Sequence, residues 1–257
     1  MLSLEERYIR GETTVALAES LGVSRQTVCN KLKRRGVKLR SKKQAANRAY
    51  SLKNNYNDDC FKELDKHTEY WLGFLMADGN VLKNRITVRV HKKDFIHVES
   101  FSNFCGVIRK PTIRGNECHI AFSSSQMVND LKKWGVVENK SLVCEAHPEL
   151  CISSNFWRGV IDGDGSLGVY KQNDKYYPRL TLACGSKILI EQFRNYAQNL
   201  LSKNINMSSR GDNYYSVAFK SRPAYRLIKE IYGEPNPCLL RKQKIAAEIT
   251  AMEVYHS

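Results

Sequence analysis

Two aspartates, Asp78 and Asp164, sit near the ends of two similar segments, WLGFLMADG (71–79) and WRGVIDGDG (157–165). Each segment carries a glycine in mid-helix, Gly73 or Gly159, which in an exposed helix would cost about 1 kcal/mol relative to alanine and so needs a packing reason. Close approach of the two helices supplies one. If they cross at these glycines, their C-terminal ends meet and Asp78 and Asp164 stand side by side. Paired carboxylates repel unless a cation lies between them, and hard divalent cations take carboxylate, water and phosphate oxygens as ligands. Such a site suits hydrolysis of a phosphodiester, with a cation-activated water as nucleophile and the leaving oxygen stabilised beside it. A calcium loop of the EF-hand kind starting at Asp162 is excluded, because Leu167 falls where glycine is required and Asn173 where a bidentate Glu is required.

The elements that must position these residues repeat. One copy runs from YWLGFLMADGNV through RITVRVHKKD, FIHVESFSNF, VIRKPTI, CHIAFSS and QMVNDLKKWGV, and the other from FWRGVIDGDGSLGV through PRLTLAC, ILIEQFRNYAQNLL, NINMSS, YYSVAF and PAYRLIKEIYG. Both read α, β, β, α, β, β, α. Asp78 and Asp164 are 86 positions apart, so the chain is an α+β protein built from a duplicated αββαββα half with a pseudo-twofold axis, not a solenoid of short repeats.

Upstream lies a smaller all-α unit. Thr13 or Thr14 can cap a first helix whose face is Val15, Leu17, Ala18 and Leu21, Gly22 ends it, and Ser24 caps a second helix with Val28 and Leu32 turned inward. Arg25, Gln26, Thr27, Asn30 and Lys31 then point outward. Helix, glycine turn and basic helix form the helix-turn-helix pattern, whose second helix enters the DNA major groove. The stretch ALAESLGVSRQTVCNKLKRRGV resembles the short helix-turn-helix modules of recombinases and regulators. The organisation expected is therefore a helix-turn-helix module over 1–40, a basic linker over 41–60, a first repeat over 61–150 and a second over 151–257.

The chain has 257 residues with 41 Lys and Arg against 26 Asp and Glu, a net charge of +15. A surplus of that size favours a polyanionic partner through phosphate neutralisation. Residues 20–57 hold eleven basic residues and no acid, which marks them for phosphate contact. No run approaches the roughly 18 apolar residues of a membrane span, and the first residues lack a secretory apolar stretch, so no membrane partner and a cytoplasmic location are expected. The eight cysteines show no paired framework and read as free thiols. Cys144, His147 and Cys151 are close enough to suggest zinc, but no fourth ligand is evident.

The two segments WLGFLMADG and WRGVIDGDG, with the matching element order between them, resemble the paired motifs of the LAGLIDADG homing endonucleases over roughly residues 61–250. The resemblance implies antiparallel sheets forming a saddle over DNA, a catalytic divalent cation (Mg2+ or another such as Mn2+) held at Asp78 and Asp164 with the adjoining Gly79 and Gly165, and a basic residue near each scissile phosphate, for which Lys140 and Lys242 are the candidates. Lys92 and Ser186 are further candidates at the ends of the second strands. Outward strand residues Arg85, Thr87 and Arg89 in one copy, and Arg179 and Thr181 in the other, would read bases. The first motif departs at Met76, where the second has Asp162. The expected activity is site-specific cleavage of double-stranded DNA by a monomer at a long pseudo-palindromic or asymmetric site. Two alternatives stay open: a transcription regulator on an inactive nuclease fold, and a maturase acting on intron RNA.

Overall fold

The computed structural model describes residues 2–53, 56–138, 142–234 and 237–252. At the N-terminus, α1 (Leu4–Ile9), α2 (Thr14–Leu21) and α3 (Arg25–Arg34) enclose a small core of Tyr8, Leu17, Ala18, Val28 and Leu32. The turn is built as its residue types require. The Thr13 side chain accepts from the Ala16 amide, Gly22 takes the left-handed conformation (φ 62°), and the Ser24 side chain accepts from the Thr27 amide. The inner face of α2 is narrower than the sequence suggests, since Val15 and Leu21 are 49% and 44% exposed.

The stretch expected to be a basic linker is helical over α4 (Lys42–Lys53). It lacks an amphipathic period, but Ala45, Ala46 and Ala49 favour helix, and Ser41 and Gln44 make a reciprocal capping box at its start. Capping and propensity favour helix here without a buried stripe, and packing on the helix Ser125–Lys133 adds to them.

The first half comprises α5 (Lys66–Asp78), β1 (Gly79–Leu82), β2 (Arg85–His91), α6 (Phe95–Phe104), β3 (Thr112–Arg114), β4 (Glu117–Ser123) and α7 (Ser125–Lys133). After the short α8 (Pro148–Cys151), the second half repeats the order in α9 (Ser154–Asp164), β5 (Gly165–Gln172), β6 (Lys175–Cys184), α10 (Lys187–Leu201), β7 (Ser208–Ser209), β8 (Tyr215–Lys220) and α11 (Ser221–Ile231), and adds α12 (Leu240–Thr250). The two four-stranded antiparallel sheets have the same order, β1-β2-β4-β3 and β5-β6-β8-β7. Even the register repeats: Thr87 pairs with Ala121 in one sheet and Thr181 with Ala218 in the other. Strand alternation buries Ile86 and Val88, or Leu180 and Leu182, and leaves their neighbours outward. Among the described residues, no helix is long and apolar enough to cross a membrane.

The halves join where α5 and α9 cross. A Cβ added to Gly73 would stand 2.0 Å from the Phe156 carbonyl oxygen, and one added to Gly159 would stand 2.1 Å from that of Tyr70. The helices touch backbone to backbone there, and only glycine fits. Around the crossing runs a buried polar chain. Asp162, wholly buried on α9, accepts from Tyr70 Oη (2.7 Å) on α5, from Tyr232 Oη (2.6 Å) and from the Leu239 amide (2.6 Å). His97 Nε2 lies 3.0 Å from the same Tyr70 hydroxyl. Arg158, also buried, donates to the carbonyls of Ile231 and Pro237 and to the Asn155 side chain.

Substitution at this joint tests it. Gly73→Ala or Gly159→Ala should destabilise the protein by roughly 1–3 kcal/mol or more through overpacking. Denaturant melts at parental stability would mean the helices do not meet at these residues. A pH effect is expected from His97, whose pKa burial pushes from 6.5 down to about 3, with Arg241 acting in the same direction. Unfolded, this imidazole takes up its proton near pH 6.5, while in the fold it stays neutral until about pH 3. Its contribution to stability is therefore complete above pH 6.5 and is lost as pH falls toward 3, by roughly 4–5 kcal/mol at the limit. Asp162, whose pKa burial raises, has the opposite sign, so the check compares slopes: His97→Gln should show a shallower loss of stability between pH 6.5 and 3 than the parent, and superimposable slopes would refute a His97 held neutral by the fold.

Candidate functional site

Asp78 and Asp164 are the last residues of α5 and α9, and both are exposed. The next residue in each case, Gly79 or Gly165, is extended (φ −78°, ψ 150° and φ −81°, ψ 161°), so the chain passes directly from motif helix into the first strand of its sheet. Their amides bond back to the carbonyls of Leu75 and Ile161, fixing the bend. The crossing carries the two bends to one place. A Cβ on Gly163 would lie 2.3 Å from the Ala77 Cβ and 3.4 Å from Asp78 Oδ2, so the first carboxylate leans over the end of the second helix.

The local potential is strongly negative. Two carboxylates are joined there by two helix C-termini, the ends at which the helix dipole places partial negative charge. One cation of the protein already answers part of it. Lys242 of α12 is 4% exposed, and its Nζ donates to the carbonyls of Ile161 (2.5 Å), Asp162 (2.9 Å) and Gly165 (2.6 Å). Burial pushes its pKa down to about 8, against the opposing pull of Asp162, Asp78 and Asp164. Both expected metal aspartates thus lie within electrostatic reach of this ammonium.

This placement bears on two sequence expectations. Lys242, expected near a phosphate, is engaged on three backbone carbonyls at the end of α9. The Gly165 carbonyl, expected near the cation, accepts from that ammonium. Ser186 is likewise buried, capping α10 through the Leu189 amide and donating to the Cys144 carbonyl (2.6 Å). Lys92 is exposed in the short helical turn after β2. Lys140 lies outside the described residues. His147 caps α8 through the Glu149 amide and edges onto Trp134. Among the described residues no group of three or more His, Cys, Asp and Glu could hold a metal ion.

The donor set nevertheless suits a hard cation that keeps most of its shell from elsewhere. Magnesium is commonly bound by one or two carboxylates, with waters and substrate phosphates completing the octahedron, and Asp78 and Asp164 offer that number at an exposed position.

Outward residues flank the site on both sheets. Arg85 and Arg89 are exposed and Thr87 is half-buried between them, with Arg89 3.7 Å from Glu117. Arg179 is exposed and bonds Thr181 Oγ1 (3.3 Å), and both line a shallow depression with Ser166, Gly168 and Tyr170. On α3, Arg25, Gln26, Asn30 and Lys31 are exposed while Thr27 is half-buried. Arg25 Nε bonds Thr14 Oγ1 (3.2 Å), and Gln26 bonds Asn30 (3.2 Å).

Sequence reasoning misses the role of Asp162, which stands out there only as a difference from Met76. Its partners Tyr70 and Tyr232 are 92 and 70 positions away. The available signal is the pair of charges, Arg158 and Asp162, set in an otherwise apolar helix where the first copy has Leu72 and Met76.

No family model matches this sequence and no curated protein matches it. Solved structures do. The LAGLIDADG meganuclease I-AabMI bound to uncleaved DNA is similar with a TM-score of 0.53 at 12% identity, over 75% of this chain and 90% of that one. The I-LtrWI LAGLIDADG homing endonuclease bound to target DNA is similar with a TM-score of 0.52 at 11% identity, over 76% and 89%. Identity this low speaks to fold alone: this chain, with its two four-stranded antiparallel sheets, has the fold of the LAGLIDADG homing endonucleases.

Proposed function

We propose that the protein is a site-specific endonuclease that binds double-stranded DNA and hydrolyses both strands with a divalent cation such as Mg2+ or Mn2+. The observation that carries the proposal is the position of Asp78 and Asp164, two exposed carboxylates at converging helix ends between two sheets with basic outer residues. These carboxylates would hold the cation, which when bound supplies Lewis-acid activation of water and stabilisation of the leaving oxygen. Arg85, Thr87, Arg89, Arg179 and Thr181 bind and read the duplex. Lys140 is the candidate for stabilising charge at the phosphate of the first half. Lys242 serves by holding the end of α9, and with it Asp164, in place.

Two unlike halves in one chain suit a monomer on a pseudo-palindromic or asymmetric site, as homing of an intron or similar element would require. The survival of both carboxylates favours an active enzyme over a regulator on an inactive fold.

Sites selected from randomised DNA by binding provide the substrate for a direct test with Mg2+. Asp78→Asn and Asp164→Asn should each lower cleavage by orders of magnitude while leaving affinity within a few fold, because each removes a cation ligand without touching the phosphate-binding surface. A single variant that still cuts both strands at the parental rate would overturn the assignment. For the N-terminal unit, Arg25→Ala with Lys31→Ala should weaken binding and flatten the slope of log K against log salt by about 0.9 for each phosphate no longer neutralised, with the cut positions unchanged. An unchanged slope and affinity would mean that α3 does not lie on DNA.

A further inference from the structure

The N-terminal unit is not hung on a loose tether. Arg40, leaving α3, donates its backbone amide to Tyr8 Oη (2.7 Å), its Nη2 to the Tyr8 carbonyl (2.5 Å) and its Nη1 to the Glu12 carbonyl (3.0 Å), with its guanidinium 4.2 Å from the Tyr8 ring centroid. The chain that leads into α4 is thereby folded back onto α1.

From α4, Arg48 reaches both ways. Its Nε donates to the Gly11 carbonyl (2.9 Å) in the N-terminal unit, and its Nη1 donates to Asp58 Oδ2 (2.7 Å) at the start of the first half. The other oxygen of Asp58 accepts from Ser124 Oγ (2.6 Å), and Ser124 is the N-cap of α7. Asp58 and Ser124 are each 2% exposed, and the Arg48 side chain 14%. A line of buried polar contacts therefore runs from Gly11 through Arg48 and Asp58 to α7, and α4 itself packs on α7.

Gly11 is shaped for this contact. It has φ 107°, a conformation L side chains rarely adopt, and a Cβ there would stand 1.9 Å from Arg48 Nη2. A planar guanidinium with donors on several edges can satisfy two parts of a fold at once in fixed directions.

Resting on the reading that α3 and the sheets both bind DNA, we propose that Arg48 locks the N-terminal unit to the first half, so that α3 reads DNA on the first-half side only and at one fixed distance from the bases read by that half. A module on a flexible linker accepts a range of spacings, because it searches a volume around its tether. A locked module accepts one.

The test uses the full chain and DNA sites selected from a random library. Base preferences that change in Arg25→Ala/Lys31→Ala identify the α3 positions, and those that change in Arg89→Ala or Arg179→Ala identify the two halves. The α3 positions should adjoin those of Arg89. Inserting 2, 5 or 10 base pairs between them should lower affinity by at least about tenfold, down to that of the α3 variant, and the 10-pair insertion should not be rescued although it restores the helical face. Breaking the lock should bring the parental and inserted sites to within about twofold of each other. Arg48→Met alone leaves Asp58 buried without its partner and can fail to fold, so Arg48→Met/Asp58→Asn, which removes both charges, and Gly11→Ala, which displaces the guanidinium from outside the first half, are the variants to compare. Retention of affinity across insertions by the parental chain, or α3 positions adjoining those of Arg179, would overturn the lock while leaving DNA binding by α3 intact. Base preferences unmoved by the α3 variant would overturn the proposal at its premise, the DNA-reading role of α3.

Discussion

The contact of α5 with α9 at Gly73 and Gly159 governs the rest of the molecule. Because each glycine receives the other helix's carbonyl where a side chain would be, the helices approach more closely than any pair carrying Cβ atoms there could. Everything functional is referred to that point. The helices end one turn beyond it, each turns through a glycine straight into its sheet, and the two sheets spread from a common origin. Side chains at the helix ends are thus held by backbone geometry, the least compliant part of a protein, and not by loops.

Electrostatics at that origin follow from the same closeness. Converging helix C-termini and carboxylates gather negative charge that the fold itself must tolerate. Lys242 supplies a fixed counter-charge from the buried side, and the wide excess of Lys and Arg supplies a diffuse one. The remaining exposure of Asp78 and Asp164 is what leaves the site open to further positive charge. The buried Asp162 plays no part in that opening: its two oxygens are taken by Tyr70, Tyr232 and the Leu239 amide, which bind the α11–α12 connection to the helix pair.

Much of this is legible in the residues. The motif glycines, the aspartates at the helix ends, the period of the repeat, the element order and the cap at Ser24 are local or periodic signals that the structure follows, and of Thr13 and Thr14 it is Thr13 that caps. What escapes is non-local or lacks a period. Helix α4 has no apolar stripe to announce it, only a capping box and alanines. Lys242 looks in sequence like one more cation of a basic protein, and its buried role depends on α12 passing behind α9. Ser186 is legible as polar and near a strand end, but a hydroxyl that caps a helix and one that faces a phosphate have the same sequence signature. Asp162 stands out only against its counterpart Met76, because nothing nearby in the chain names a partner.

The pairing of Tyr70 with Asp162 has a consequence for how such a chain can evolve. Counterparts in the duplicated motif are Phe156 for Tyr70 and Met76 for Asp162. If two second halves self-paired, each Asp162 would face a phenyl ring in place of the hydroxyl it now accepts from; if two first halves did so, each Tyr70 would bury its hydroxyl against a thioether. Either symmetric assembly loses the Tyr70–Asp162 hydrogen bond from the crossing, although Asp162 keeps Tyr232 and the Leu239 amide and Tyr70 keeps His97. The match therefore favours the pairing of unlike halves over the pairing of like ones, by the worth of one buried hydrogen bond to a charged group.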